Sequence, residues 1–358
     1  MMLGACGGTS APGGRLPLAS ATPTPIPHLP QASLHNTGAP PARFGAALGF
    51  DVVTRQLILF GGATAGDQAH PADAVRLADT WAWDGHSWTQ LHPAMSPPAL
   101  YGARLVDDPA TGHLLLVSGS GTLDSTGALQ QMGVWLWGGQ NWSRIADNPL
   151  QMQFAAVGSD QAHRQVLLSG FDNGYLLNCG GRLNCPVLQS FDKPGAYQYG
   201  GGHWMAAPGT APQFAEGGTA YDPNSQQLIS AGGLAQNGLE STYGWDGKQW
   251  HVVSQSQGYN GVPDPAYPAG PCDAATDADA GNLVMACSFT DNGKATGATW
   301  TFDGTNWTRA QQATTVLPAI PSISLADDLV AGAVIMVYPG TGTEAMKLWN
   351  GSDWLAIS

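Results

Sequence analysis

Trp83-Asp-Gly-His-Ser-Trp88 decides the fold, because the chain repeats its pattern five more times. The echoes are Trp137-Gly-Gly-Gln-Asn-Trp142, Tyr199-Gly-Gly-Gly-His-Trp204, Trp245-Asp-Gly-Lys-Gln-Trp250, Phe302-Asp-Gly-Thr-Asn-Trp307 and Trp349-Asn-Gly-Ser-Asp-Trp354. Each reads aromatic, turn residue, Gly, two polar residues, Trp. Asp-Gly readily supplies the positive φ angles of a tight hairpin, so each phrase predicts two strands meeting at a turn. The final Trp residues lie 54, 62, 46, 57 and 47 positions apart, the spacing of propeller blades of roughly 50 residues. All 13 Trp of the chain fall inside or just before these phrases.

Working outward from Trp83, Asp79-Thr-Trp-Ala-Trp-Asp84 places Trp81 and Trp83 on one face by the two-residue period of a strand. Upstream, Gln56-Leu-Ile-Leu-Phe60 before Gly61-Gly62 is a short apolar run of the kind buried on both faces of a sheet. It recurs as His113–Ser118, Gln165–Gly170, Gln227–Gly232, Asn282–Cys287 and Ala333–Tyr338. Asp107-Asp-Pro109, Asp222-Pro223 and Asp277-Ala-Asp279 mark the turn before it. Nothing shows the 3.6-residue apolar period of a helix longer than a turn or two. The expected fold is all-β, six blades of four antiparallel strands. Residues 43–51 read as a fourth-type strand and Asp353–Ile357 as a third-type strand. The N-terminal strand, 43–51, is therefore expected to complete the last blade and close the ring.

A Gly pair after a buried strand, then an aromatic strand, then a Trp resembles the kelch repeat. The likeness covers 43–358 and is closest to bacterial kelch-like proteins and the propeller of the galactose-oxidase superfamily. The Gly pair stands at Gly61-Gly62 and Gly232-Gly233 and decays to Ser118-Gly119, Gly170-Phe171, Cys287-Ser288 and Tyr338-Pro339.

The 358 residues carry 11% charged side chains and a net charge of -13. An acidic chain repels phosphate backbones, which excludes nucleic acid as a partner. No run of about 18 apolar residues could span a membrane. Leu3-Gly4-Ala5-Cys6 has the small-residue-then-Cys pattern of a lipoprotein processing site, with Cys6 the lipid-bearing residue. Five residues cannot hold a basic segment and an apolar core, so either the true start lies upstream or the match is coincidence. The Gly, Ala, Pro, Ser and Thr of 7–41 favour the first: residues 1–41 read as an anchored, extended tether before the propeller of 43–358. Of the other cysteines, Cys179, Cys185, Cys272 and Cys287 permit three pairings. Local pairing is expected: Cys179 with Cys185 in the longest loop, Cys272 with Cys287 across two strands. These features place the chain outside the cytoplasm, in the envelope or secreted.

The turns read as uniform on one face and variable on the other. The variable stretches, taken as connections from first to second strand, are 63–78, 119–132, 171–194, 234–240, 288–296 and 339–344, joined by connections such as 254–270. Variation confined to one face marks it for binding. Candidate contacts there are His70, Arg76, Asp172, Tyr175, Arg182, Lys193, Glu240, Tyr259 and Tyr267. The expected function is non-catalytic binding of a protein or glycan at the cell envelope by a monomer, with no cofactor or metal. The resemblance also implies a second reading, a carbohydrate-active enzyme of oxidase or epimerase type. A copper-radical oxidase needs two His, two Tyr and a Cys beside one of them; only His70 and His92 share the variable face. An epimerase would draw on His70, Arg76 and Glu240. A third reading is an envelope scaffold.

Overall fold

The computed structural model describes residues 38–64, 75–117, 133–147, 156–171, 194–208, 214–215, 217–232, 234–235, 241–255, 272–291, 294–310, 317 and 323–357. They form six four-stranded antiparallel sheets, each with its strands in chain order. Blade 1 is Ala47–Asp51, Gln56–Phe60, Thr80–Trp83 and Trp88–Leu91. Blade 2 is Arg104–Asp108, His113–Val117, Gly133–Trp137 and Trp142–Asp147. Blade 3 is Ala156–Asp160, Gln165–Phe171, Pro194–Gly200 and His203–Ala206. Blade 4 is Gly218–Asp222, Gln227–Ala231, Ser241–Trp245 and Trp250–Gln255. Blade 5 is Cys272–Asp277, Asn282–Asp291, Lys294–Phe302 and Trp307–Arg309. Blade 6 is Ser324–Asp328, Ala333–Pro339, Glu344–Trp349 and Trp354–Ile357. A small ribbon pairs Phe214–Ala215 with Leu234–Ala235. No helix occurs among the described residues.

First strands of successive blades pack against one another in an unbroken circuit that returns from blade 6 to blade 1. They are the inner wall of the propeller, and crowding there demands small residues. A Cβ on Gly158 would lie 2.6 Å from Leu228 Cδ1, and one on Gly218 would lie 2.8 Å from the Ala274 Cβ. The apolar runs are second strands, sandwiched within the sheet: Leu57, Ile58 and Leu59 are wholly buried.

This phase corrects two expectations. Residues 47–51 do not close the last blade; they are the innermost strand of blade 1, paired with 56–60 in register Ala47↔Phe60 to Asp51↔Gln56. Blade 6 takes all four strands from 324–357, and Trp354–Ile357 is its fourth strand. The reason is local. A four-residue turn, 52–55, joins 47–51 to the apolar run, and closing so short a loop costs far less entropy than a pairing across the whole chain. Likewise, the variable stretches join second to third strands, although they still emerge together.

Each first-to-second turn is built the same way. Its strand-ending aspartate is buried in all six blades: Asp51, Asp108, Asp160, Asp222, Asp277 and Asp328. The carboxylate accepts turn amides, as Asp51 does from Val53 N–H and Asp328 from Val330 and Ala331 N–H. Four residues on, the backbone turns to positive φ at Arg55, Gly112, Arg164, Gln226, Gly281 and Gly332.

Each hairpin phrase brings its two aromatic rings together, with centroids from 4.9 Å (Phe302–Trp307) to 5.8 Å (Trp245–Trp250). Each pair packs against the preceding blade. Trp137 and Trp142 join a core with Ile58 and Phe60 of blade 1, and Trp349 and Trp354 join one with Val284 and Ala286 of blade 5. Trp83 and Trp88 join one with Ile335 and Leu348 of blade 6, so the ring shuts by the same contact. Burying a large aromatic removes about 150–250 Å² from water, worth several kcal/mol at ~25 cal/mol per Å².

A short clasp adds to this closure. Pro41 bridges Thr343, and Glu344 N–H donates to the Pro40 carbonyl at 2.8 Å. Glu344 Oε1 accepts the Arg43 backbone N–H at 3.0 Å. The buried Arg43 guanidinium grips Asp79 with two bonds, 2.6 and 3.0 Å. The remaining expected cysteine pair across strands is present: Cys272 and Cys287 face each other in blade 5 and form a disulfide.

Candidate functional site at the axial mouth

The first-to-second and third-to-fourth turns share one end of the propeller and are uniform. The other end carries second-to-third connections ranging from two residues, 292–293, to twenty-two, 172–193. The inner strands begin at that variable end, and at their beginnings lies a partly open cavity of about 50 Å³. All six blades line it, through Ala47 and Leu48, Arg104 to Val106, Val157, Gly217 and Thr219, Asp273 and Ala274, and Leu325. At ~10–15 Å³ per water it holds a few waters, and it is far below the ~300 Å³ where small-molecule pockets begin.

One ion pair crosses the axis. Arg104 of blade 2 meets Asp273 of blade 5, the blade opposite, with Nη1 to Oδ1 at 3.2 Å. Asp273 also accepts Ala274 N–H at 3.0 Å and Leu325 N–H from blade 6 at 2.8 Å. Burial pushes its carboxyl up, against the Arg104 charge and these two amides. The Arg104 side chain stays 25% exposed. The result is a net-neutral polar mouth, with aliphatic residues such as Leu48, Val106 and Val157 also among its lining.

At the opposite end, Asp107 accepts from Ser159 Oγ at 3.2 Å and from Gln161. Burial raises its carboxyl, against those bonds. Asp327 is pushed up to about 8 by burial and by the charges of Asp277 and Asp328. His163 holds Asp160 at 2.9 Å on this uniform face. Among the described residues no three His, Cys, Asp or Glu side chains gather as a metal site requires.

Of the candidate contacts read from sequence, Arg76 is described. It bridges Ala63 in the second-to-third connection of blade 1, on the variable side. Burial lowers its guanidinium, opposed by the nearby Tyr101. His70, Asp172, Tyr175, Arg182, Lys193, Glu240, Tyr259 and Tyr267 lie outside the described residues, as do Cys6, Cys179 and Cys185. Sequence reading missed Arg104 and Asp273. Their signal was a charge at the start of the strand, away from the strand-ending aspartate that every blade repeats, hidden once those strands were given the wrong place in the blade.

No family model and no curated protein matches the chain. Among solved structures it is similar to a lectin of Aleuria aurantia described as a six-bladed β-propeller with fucose recognition. That likeness has a TM-score of 0.47 and 10% identity over 88% of this chain and 96% of the lectin. It is also similar to an ulvan lyase of a polysaccharide lyase family, at TM-score 0.47 and 12% identity over 88% of this chain and 81% of the lyase. The same lyase bound to -[GlcA(1-4)Rha3S]- gives a TM-score of 0.46 at 12% identity, with the same coverage.

Proposed function

We propose that this chain is an exported, non-catalytic propeller that binds a glycan or a protein at the cell envelope. Its site is the variable face and the axial mouth that face surrounds. The observation that carries the reading is the asymmetry of the two ends: repeated turns at one, connections of two to twenty-two residues and a polar cavity at the other. The scaffold fixes the strands, and only the variable end is free to specialise. Residues 1–41 serve as the tether, with Cys6 the anchoring position. The disulfide between Cys272 and Cys287 supports an oxidising compartment. The kelch-like assignment belongs to the same proposal and is supported by Gly61 and Gly62, both at positive φ after the second strand.

The test is thermal unfolding of the full chain across a panel of saccharides, alongside co-purification from envelope extracts. A ligand that binds the folded state raises Tm with concentration. Replacing 172–193 by a four-residue turn should abolish the shift without lowering the unliganded Tm by more than a few degrees. A shift that survives this replacement and that of 65–74 by a similar turn would remove the loop face from the site.

A further inference from the structure

The axial mouth has a chemistry that selects among ligands, and this inference rests on the glycan arm of the reading above. We infer that the cavity takes one uncharged hydroxyl-bearing arm of a saccharide, such as a hydroxymethyl group, so that this face recognises neutral glycans in preference to uronate- or sulfate-bearing ones.

Size sets the first limit. A cavity of about 50 Å³ admits a one-carbon arm with its oxygen and excludes a sugar ring. The ring must stay outside the cavity. The aliphatic residues in the lining, Leu48, Leu105, Val106 and Val157, leave apolar surface for the carbon of that arm beside a larger polar surface for its oxygen.

Charge sets the second limit. Arg104 and Asp273 lie 3.2 Å apart, so any group reaching one of them meets the field of the other. An anion drawn to the guanidinium sits beside the Asp273 carboxylate, and a cation drawn to Asp273 sits beside Arg104; in a partly enclosed mouth such repulsion is stronger than in bulk water. A hydroxyl escapes both penalties, because it accepts from an Arg donor and donates to a carboxylate oxygen with one atom. Asp273 has room for it. Three donors, Arg104, Ala274 N–H and Leu325 N–H, approach a carboxylate that offers about four acceptor sites. The guanidinium carries five N–H donors, its Nη1 lies 3.2 Å from Asp273 Oδ1, and a quarter of its surface is open. The chain's net charge of -13 opposes acidic polymers at longer range.

The test uses the full chain on an array of neutral, uronate-bearing and sulfated oligosaccharides. Calorimetry then follows with the strongest neutral binder and its 6-deoxy counterpart. Val106→Phe adds bulk at a lining position that also packs on the core between blades 2 and 3, and leaves both charges in place; Arg104→Gln removes the guanidinium. Neutral glycans should bind in preference, and the deoxy sugar and both variants should each lose about tenfold in affinity. Tm of Val106→Phe should stay within about 3 °C of the parent, so its loss of binding is read independently of any instability in Arg104→Gln. Neutral binding that ignores Val106→Phe and the deoxy change would overturn the inference and leave a glycan site in the loops. Preference for uronate or sulfate would overturn it as well. If no saccharide binds at all, the inference and the glycan arm of the proposed function fail together.

Discussion

The indole N–H shows how a repeat departs from strict equivalence residue by residue. The final Trp of a phrase reaches the third strand of the preceding blade, three residues before that blade's own phrase. Trp142 donates to Thr80 at 3.0 Å, Trp307 to Thr242 at 3.0 Å and Trp354 to Thr299 at 2.8 Å. Trp88 points instead at the Met346 sulfur, 3.1 Å away. The equivalent positions in blades 2 and 3 hold Val134 and Ala196, and there the buried N–H groups of Trp204 and Trp250 find no partner. A buried donor without a partner costs about 1–3 kcal/mol. Val134→Thr, nearly equal in volume, should therefore raise stability by about 1 kcal/mol, and Thr80→Val should lower it by 1–2 kcal/mol. Urea unfolding checks both, and equal midpoints for Thr80→Val and the parent would dissolve the proposed bond. The turn after the first strand offers a second comparison. Gln226 holds φ 57° where blade 2 uses Gly112 at φ 74°, and an L residue in that region costs about 1–2 kcal/mol. A Cβ on Gly112 would meet nothing within 4 Å, so Gly112→Ala isolates the backbone cost. It should destabilise by about 1 kcal/mol, and Gln226→Gly should gain about 0.5 kcal/mol after the added freedom of the unfolded chain is subtracted. The Trp residues were legible from sequence because they recur at one register. Their Thr partners were not, because each stands on the neighbouring blade, in a different phrase.

At the scale of elements, strand identity was easy to read and strand phase was not. The apolar run Gln56–Phe60 and the aromatic strand Thr80–Trp83 announce themselves by composition and period. The inner strand Ala47–Asp51 does not, because it mixes the small Ala47 and Gly49 with Leu48 and Phe50 and shows no clear alternation of apolar and polar residues. Only the order of strand types places it in the sequence, and that order shifts every blade by one strand. What holds the chain's start to the last blade is a clasp rather than a shared sheet, and the clasp titrates. Burial pushes the Glu344 carboxyl up to about 8, against the Arg43 backbone N–H and the Arg43 charge. The folded state thus keeps a proton that the unfolded chain releases above 4.5. Stability from this group is complete below that pH and is lost as pH rises to about 8. Asp327 acts with the same sign between 3.8 and about 8. Asp79 acts oppositely: burial would lift its carboxyl, but bonds from Arg43 and Trp81 outweigh that and hold it low, so its contribution is lost only in acid, below 3.8. Tm should therefore fall from pH 5 to pH 8. Glu344→Gln, which keeps an acceptor for Arg43 N–H without the charge, should flatten part of that slope and raise Tm at pH 8 by a few degrees. Parallel Tm curves for the two chains across this range would remove Glu344 from the account.

For the whole molecule, the way the ring shuts decides how it can be cut. In a propeller closed by a strand borrowed from the other terminus, one blade is made of both chain ends, and separating them destroys a sheet. Here every blade is a continuous stretch of chain, and the contact of blade 6 with blade 1 is a blade interface like the other five, reinforced by the clasp at 40–43 and 342–344. Repeats that touch only their neighbours have stabilities close to a sum of unit and interface terms, so no single junction is privileged. First strands begin and fourth strands end at the same variable face, which brings Ala47 and Ile357 to one end of the molecule. A flexible linker joining the ends, with new termini opened in 209–213 between blades 3 and 4, should then give a folded permutant. It keeps all six sheets and all six aromatic interfaces, and loses little beyond linker entropy and local contacts. Its far-ultraviolet spectrum should match the parent's, with Tm lower by no more than about 10 °C, several kcal/mol at this chain length. A second permutant opened at 61–62, between the second and third strands of blade 1, splits a sheet across the two ends and should lose considerably more. Equal stability of the two would mean that the sheet, rather than the blade interface, is the weaker join, and the ring would then close by cooperation of all six interfaces at once.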